Sequence, residues 1–184
     1  MHRRPLLTLL KQYAERHPDE ADVASRIEQL VSTHADCFER TCRPGHITGS
    51  AWVMSHDQQQ CLLVHHGKLN RWLQPGGHAD GQADVAEVAL REAQEETGLV
   101  DLELVPEPLD VDVHLIPARF DPDGNQLEDA HEHHDVRYLL IAAPDQTLVV
   151  SDESHEVRWF THDELLEATD EESVLRMLRK AGPK

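Results

Sequence analysis

Glu92, Glu95 and Glu96 stand at i, i+3 and i+4 in the stretch GGHADGQADVAEVALREAQEETGL, Gly76 to Leu99. Residues at that spacing share one face of a helix. With Val85 set at zero on a helical wheel, Glu92 falls near ~340°, Glu95 near ~280° and Glu96 near ~20°. Val88 and Ala89 take ~300° and ~40°, so the acids lie in or beside the apolar stripe. Glu87, Arg91 and Gln94 occupy the opposite side. This is not an ordinary solvated face, because like charges so placed repel. A divalent cation would offset that repulsion. Magnesium prefers oxygen ligands and needs only a few carboxylates besides water and phosphate.

Two other groups of residues could do chemistry. In His131-x-His133-x-Asp135, positions two apart point to one side of a strand, so two imidazoles and a carboxylate form a row. Such a row suits phosphate oxygens or a metal that the glutamates do not hold. The run His34-x2-Cys37-x4-Cys42-x3-His46 carries zinc-ligand types, but its spacing is unusual and Pro44-Gly45 already accounts for a turn. Buried thiols are the expectation there. Arg71, Arg119 and Arg137 are weaker candidates for phosphate anchors.

The elements that must position these groups can be read from the pattern. Pro5 to His17 reads as a helix stopped by Pro18. Asp19 to about Phe38 reads as a second, with Val23, Ile27, Leu30 and Val31 on its apolar stripe. Ile47 to Met54 and Gln60 to His66 alternate as two strands joined by the polar turn Ser55-His56-Asp57-Gln58. Pro75-Gly76-Gly77 turns the chain before a helix that begins near Asp84 and ends at Gly98 in a left-handed conformation. Strands follow at Asp110 to Ala118, about Asp135 to Ala143 and Val157 to Phe160, with a loop around Asp121-Pro122-Asp123-Gly124. Thr161 and Glu164 form a capping box for a helix through Ala168, and Glu171 to Ala181 makes the last helix. Helices and strands mix without regular βαβ alternation, so an α/β chain of the α+β kind, layered α-β-α, is expected.

Bulk properties narrow the class of function. The 184 residues suit one domain plus an added segment, and the net charge is −18, from 35 acidic and 17 basic residues. That charge repels nucleic-acid backbones and anionic lipids, so neither nucleic acid nor membrane is an expected partner. The leucines of Leu6 to Leu10 are too few for a spanning segment, and no small-residue cleavage site follows them. An odd count of three cysteines argues against a disulfide framework and for a cytoplasmic setting.

Gly77 to Leu99 resembles the Nudix box, G-x5-E-x7-R-E-U-x-E-E-x-G-U, where U is bulky and apolar. Gly77, Arg91, Glu92, Glu95, Glu96, Gly98 and Leu99 match in register. Ala83 stands where the motif has its early glutamate, and Ala93 is a small occupant of the first U position. The run Gln74 to Asp80, QPGGHAD, together with the later H-x-H-x-D, is similar to a bacterial subgroup of that family.

The resemblance implies a Nudix-type α-β-α sandwich with a mixed sheet. Residues 1–44 would form an added helical segment and residues 45–184 the Nudix domain. It implies a hydrolase cleaving the diphosphate linkage of a nucleoside diphosphate joined to another group, with Mg2+ or Mn2+. Glu92, Glu95, Glu96 and the Gly76 carbonyl would hold the metal; Glu95, Glu153 and Arg91 would serve catalysis, Arg91 by orienting glutamates. Glu156 is second to Glu153 for the late carboxylate. His78, His131, His133 and Asp135 are the substrate-binding candidates. A small-molecule diphosphate is the expected partner, and the N-terminal helices either cover the sheet or make a homodimer contact. Two rival readings are a Nudix-fold binding module with little turnover and an isopentenyl-diphosphate isomerase. The isomerase needs a cysteine beside the site, and none of Cys37, Cys42 or Cys61 lies in such a motif.

Overall fold

The computed structural model describes residues 2–182. Its elements are helix α1 (Arg4–Arg16), a short 3-10 turn (Pro18–Glu20), α2 (Ala21–Thr33), strands β1 (Gly45–Met54), β2 (Gln60–His66), β3 (Arg71–Leu73) and β4 (Gly76–His78), then helix α3 (Val85–Thr97). After it come β5 (Leu102–Ile116), β6 (Arg119–Phe120), β7 (Gln126–Glu128), β8 (His131–Ala142), β9 (Ser154–Thr161), α4 (His162–Ala168) and α5 (Glu172–Ala181). A seven-stranded sheet runs β3-β2-β1-β8-β5, with β4 added to β1 and β9 to β2; β6 and β7 form a separate ladder. No helix among the described residues is long and apolar enough to cross a membrane.

The chain folds as two compact units. One holds residues up to Thr48, His78–Val85 and Val111–Val136. In it, α1 buries Leu6, Leu10 and Tyr13, and α2 buries Ala24, Ile27, Leu30 and Val31, both at helical spacing. The Arg3 guanidinium donates to the Val31 and His34 carbonyls at the end of α2, where a cation complements the helix dipole. The helix α2 ends at Thr33 rather than near Phe38, because the chain turns at His34 and the Cys37 carbonyl accepts from Ile47 N–H at 2.8 Å.

The other unit holds Gly49–Gly77, Ala86–Asp110 and Arg137 onward. Its spine is β2. Leu62 pairs with Val53 on one side and Trp159 on the other, which confirms the expected hairpin. Trp52, Leu63 and Phe160 from these strands pack with Leu165 of α4 and Val174, Met177 and Leu178 of α5. The Thr161–Glu164 capping box is present.

Two strands are longer than the pattern predicts. Starting at Leu102, not Asp110, β5 includes Pro106 and Pro108, which its position at the end of the sheet order tolerates. Strand β8 starts at His131, not Asp135, because its first residues are polar yet largely buried. The loop around Gly124 proves to be the β6–β7 hairpin.

Candidate active site

Within the second unit, helix α3 and the strand before it make a concentrated acidic site. The helix is held by Val88, Ala89 and Ala93, all fully buried, so the face next to that stripe is turned inward as the wheel predicts. Its end is fixed at Gly98, φ +74°, whose N–H returns to the Gln94 carbonyl at 2.9 Å. A side chain at Gly98 would also collide with Val149, which docks through its N–H on the Thr97 carbonyl at 2.8 Å.

The glycines before the helix are needed for approach, not only for turning. Strand β4 lies against β1, and a Cβ at Gly76 would stand 2.3 Å from the Ser50 hydroxyl oxygen. At Gly77 a Cβ would stand 2.5 Å from the Glu92 carboxyl group. The Ser50 contact extends to its Cα and requires glycine at 76, whereas a side chain at 77 would displace the movable Glu92 carboxyl from the backbone.

Glu92 is 13% exposed and pairs with Arg91 at 2.7 Å, while Glu95 is 60% exposed and lies 3.3 Å from the same guanidinium nitrogen. Glu96 is the most perturbed of the three. Burial raises its pKa to about 8, the charges of Glu92, Glu153 and Glu95 add to that, and a hydrogen bond from the Gly76 backbone works the other way. The helix therefore brings Glu92 and Glu96 together, Glu95 sits on the exposed flank, and Glu153 acts on Glu96 from the loop before β9. Exposed Glu156 is placed opposite His65 in the β2–β9 ladder. This arrangement fits a divalent cation: clustered carboxylate oxygens, one of them hard to ionise without a counter-charge, and a backbone that approaches closely.

The histidine candidates gather in the first unit. His46, His78, His131 and His133 have ring centroids 4.9 to 5.3 Å apart in the measured pairs. His114 lies 5.4 Å from His133 and pairs with Asp112 at 3.1 Å. Burial and neighbouring imidazoles push His46 down to about 4 and His133 to about 2, so both are uncharged at neutral pH. Asp135 is buried and accepts from the Thr48 hydroxyl at 2.9 Å. His46 was missed as a partner of this row because the strand was read from Ile47; the alternation His46, Thr48 on one face is the signal that could have found it.

Other candidates resolve into structural roles. Arg137 is buried against Asp110 at 3.0 Å, Arg71 pairs with Glu171, and Arg119 with Glu128 at 3.6 Å, so none stands ready as a phosphate anchor. Cys37, Cys42 and Cys61 are free and buried, and burial raises their thiols to about 11, 11 and 12. The four-residue His/Cys run does not assemble as written: His34 and Cys42 lie with Asp36, while His46 lies with His131 and His133.

The NUDIX domain profile matches residues 46–181. The chain belongs to the NUDIX domain family. The expected fold class and the expected enzyme class, a Nudix hydrolase, both follow from that membership. Solved structures agree on the fold. An Ap4A hydrolase of C. elegans, in a binary complex, is 16% identical, with a TM-score of 0.57 over 73% of this chain and 93% of that one. A NUDIX-family hydrolase of Clostridium perfringens is 23% identical, with 0.57 over 74% and 95%. The NUDIX domain of Shewanella oneidensis NrtR, complexed with ADP ribose, is 21% identical, with 0.51 over 73% and 86%. A comparison with curated proteins finds no match.

Proposed function

We propose that this Nudix protein is a Mg2+- or Mn2+-dependent hydrolase of nucleoside diphosphates linked to another group. The observation that carries the reading is the cluster around Glu96: a half-buried carboxyl with Glu92 and Glu95 on its own helix and Glu153 beside it, raised to about 8 by burial and by those charges. A carboxyl crowded by other acids ionises more readily beside a cation, which supports a metal there. Glu92, Glu96, the flanking Glu95 and the Gly76 carbonyl would hold the metal, which when bound supplies charge for the diphosphate oxygens and for orienting water. Arg91 fixes the Glu92 carboxylate through their 2.7 Å ion pair. Glu153, exposed beside Glu96, is the group proposed to take the proton from a water attacking one phosphorus in line. The QPGGHAD and H-x-H-x-D runs support membership of a bacterial subgroup, and the ADP ribose named with a similar domain belongs to the proposed substrate class.

Ala83 favours a second reading, a binding module with little turnover, because the motif glutamate is missing there. A panel of nucleoside diphosphate compounds assayed with Mg2+ or Mn2+, with products identified, separates the two. Turnover abolished by Glu96→Gln supports the hydrolase, and product identity shows which phosphorus is attacked. Saturable binding of a panel member without product would replace it with the binding module.

A further inference from the structure

The roles proposed for the glutamates leave the histidine group of the first unit unassigned. His46 comes from β1, His78 from the end of β4, and His131 and His133 from β8. Ring centroids lie 4.9 Å apart for His46 and His133, 5.0 Å for His46 and His131, and 5.0 Å for His78 with either His46 or His133. One ring nitrogen from each of His46, His131 and His133 lies within 4.8 Å of the others. Around a tetrahedral ion with metal–nitrogen bonds of about 2.0–2.1 Å, ligand nitrogens stand roughly 3.4 Å apart. Binding would therefore require the rings to turn their nitrogens toward the ion.

Hydrogen bonding gives an independent reason to expect an occupant. Both nitrogens of His46 and Nε2 of His133 are buried without a hydrogen-bond partner. A neutral imidazole has one donor and one acceptor, and leaving them unmet in the interior is unfavourable. Stacking against other rings does not meet that need. His131 differs in an informative way. Its Nδ1 lies 2.9 Å from the Asp129 carbonyl, which can only accept, so Nδ1 is the donor there and Nε2, 3.9 Å from the Glu128 carboxylate, is the nitrogen left for a metal. Metal-binding histidines are oriented by this kind of backbone contact.

We infer that His46, His131 and His133 form a site for a zinc-class transition-metal ion, with His78 as the adjoining fourth imidazole. The ligand set selects the ion. Imidazole nitrogen suits zinc and its neighbours, whereas magnesium prefers oxygen, so the ion held here differs from the one proposed for the glutamates. The inference does not rest on the hydrolase reading, since it concerns residues that reading leaves unused. The site ties three strands, β1, β4 and β8, through one ion.

The test uses untagged full-length protein stripped with a chelator. Zn2+ is titrated against a chromophoric chelator, and Co2+ binding is followed by its visible absorption. One equivalent of Zn2+ is expected, together with the strong visible bands of four-coordinate Co2+. His133→Ala and His46→Ala should each weaken Zn2+ binding at least ~100-fold, beyond the effect of losing an outer partner. The Glu92→Gln, Glu96→Gln double variant should keep the wild-type Zn2+ affinity. Should a histidine variant fail to fold by circular dichroism, imidazole nitrogen shifts of the wild-type protein on adding Zn2+ decide the matter, because ligands move strongly. No stoichiometric Zn2+, unchanged affinity in the folded histidine variants, unmoved imidazole shifts, or loss of Zn2+ in the glutamate variant would each overturn the site.

Discussion

Asp110 and Glu96 are carboxyl groups of the same unit, one buried and one half-buried, and the fold treats them in opposite ways. Burial alone would raise the pKa of Asp110, yet it is held below the ordinary carboxylate range by hydrogen bonds from Arg176 and Lys180 and by the charge of Arg137. Arg137 stands 3.0 Å away, Arg176 2.7 Å and Lys180 2.6 Å. Around Glu96 burial acts in the same direction, but the neighbours are Glu92, Glu153 and Glu95, and the pKa rises to about 8. The chain can compensate a buried acid where it needs a finished core. At α3 it withholds that compensation and leaves the counter-charge to come from outside. The difference supports reading Asp110 as structural and proposing Glu96 as a metal-binding acid.

Asp110→Asn is expected to have the largest effect, because three partly or wholly buried cations would lose the carboxylate they share. A loss of about 3–5 kcal/mol in denaturant unfolding is expected, with little change in Mg2+ binding by the folded fraction. The pH profile gives the sign. Since the folded pKa of Asp110 lies below its unfolded value, its stabilisation is complete above the unfolded value and disappears as pH falls through the folded one. The variant should therefore lack that acid-side slope. A variant as stable as the parent would show that Asp110 is no more compensated than Glu96.

Glu96→Gln should do the reverse: little harm to folding and a large loss of activity. Turnover on the hydrolysed diphosphate should fall at least ~100-fold, about 2.7 kcal/mol in the barrier. With a folded pKa of about 8 against an ordinary 4.5, metal-free protein should lose stability as pH rises between those values. Glutamine removes that slope, and Mg2+ should flatten it in the wild type. Native turnover in Glu96→Gln would remove the α3 acids from the reaction.

Glu153 and Glu156 make a smaller contrast within one segment. Glu153 acts on Glu96 electrostatically, while exposed Glu156 is held opposite His65 in a strand ladder. Glu153→Ala should lower turnover by ~10-fold, about 1.4 kcal/mol, with Glu156→Ala near the parent rate and both variants folded. Equal, small losses would return the segment to a solvated acidic loop.

How much of this was legible in the sequence follows from how each site is built. The α3 acids lie on one helix, where i, i+3 and i+4 fix their shared face, and burial of Val88, Ala89 and Ala93 follows the same wheel. The Thr161–Glu164 capping box and the left-handed Gly98 are likewise local, and both are present. The histidine group draws on three strands far apart in the chain. His131-x-His133 showed as a row, His78 joined it through the family resemblance, and His46 was grouped with His34, Cys37 and Cys42 instead. Arg137 could be read as a phosphate anchor because its partner Asp110 is 27 positions earlier, and strand pairing alone brings them together. Local periodicity speaks for one element at a time. Contacts between strands were beyond it, as was the extension of β5 across Pro106 and Pro108.

Arg91 is the cation through which the two treatments of acid can be compared most finely. It reaches Glu92 at 2.7 Å and Glu95 at 3.3 Å, but it is 35% exposed and Glu95 is 60% exposed. Such a pair contributes only about 0.2–1 kcal/mol to stability, unlike the enclosed cations at Asp110. Its proposed value lies in one guanidinium nitrogen shared by Glu92 and Glu95, which draws the Glu92 carboxylate to one side close to Gly77. Arg91→Lys keeps the charge and loses the planar group that bridges the two acids. Unfolding free energy should change by less than about 1 kcal/mol. Turnover should fall roughly threefold to tenfold, at most about 1.4 kcal/mol, and recover in part at raised Mg2+ if the loss is one of ligand orientation. Steady-state rates across a Mg2+ series, set beside denaturant curves, separate these outcomes. A stability loss matching that of Asp110→Asn would make Arg91 a core counter-charge. Unchanged rates at every Mg2+ concentration would leave it a solvated ion pair.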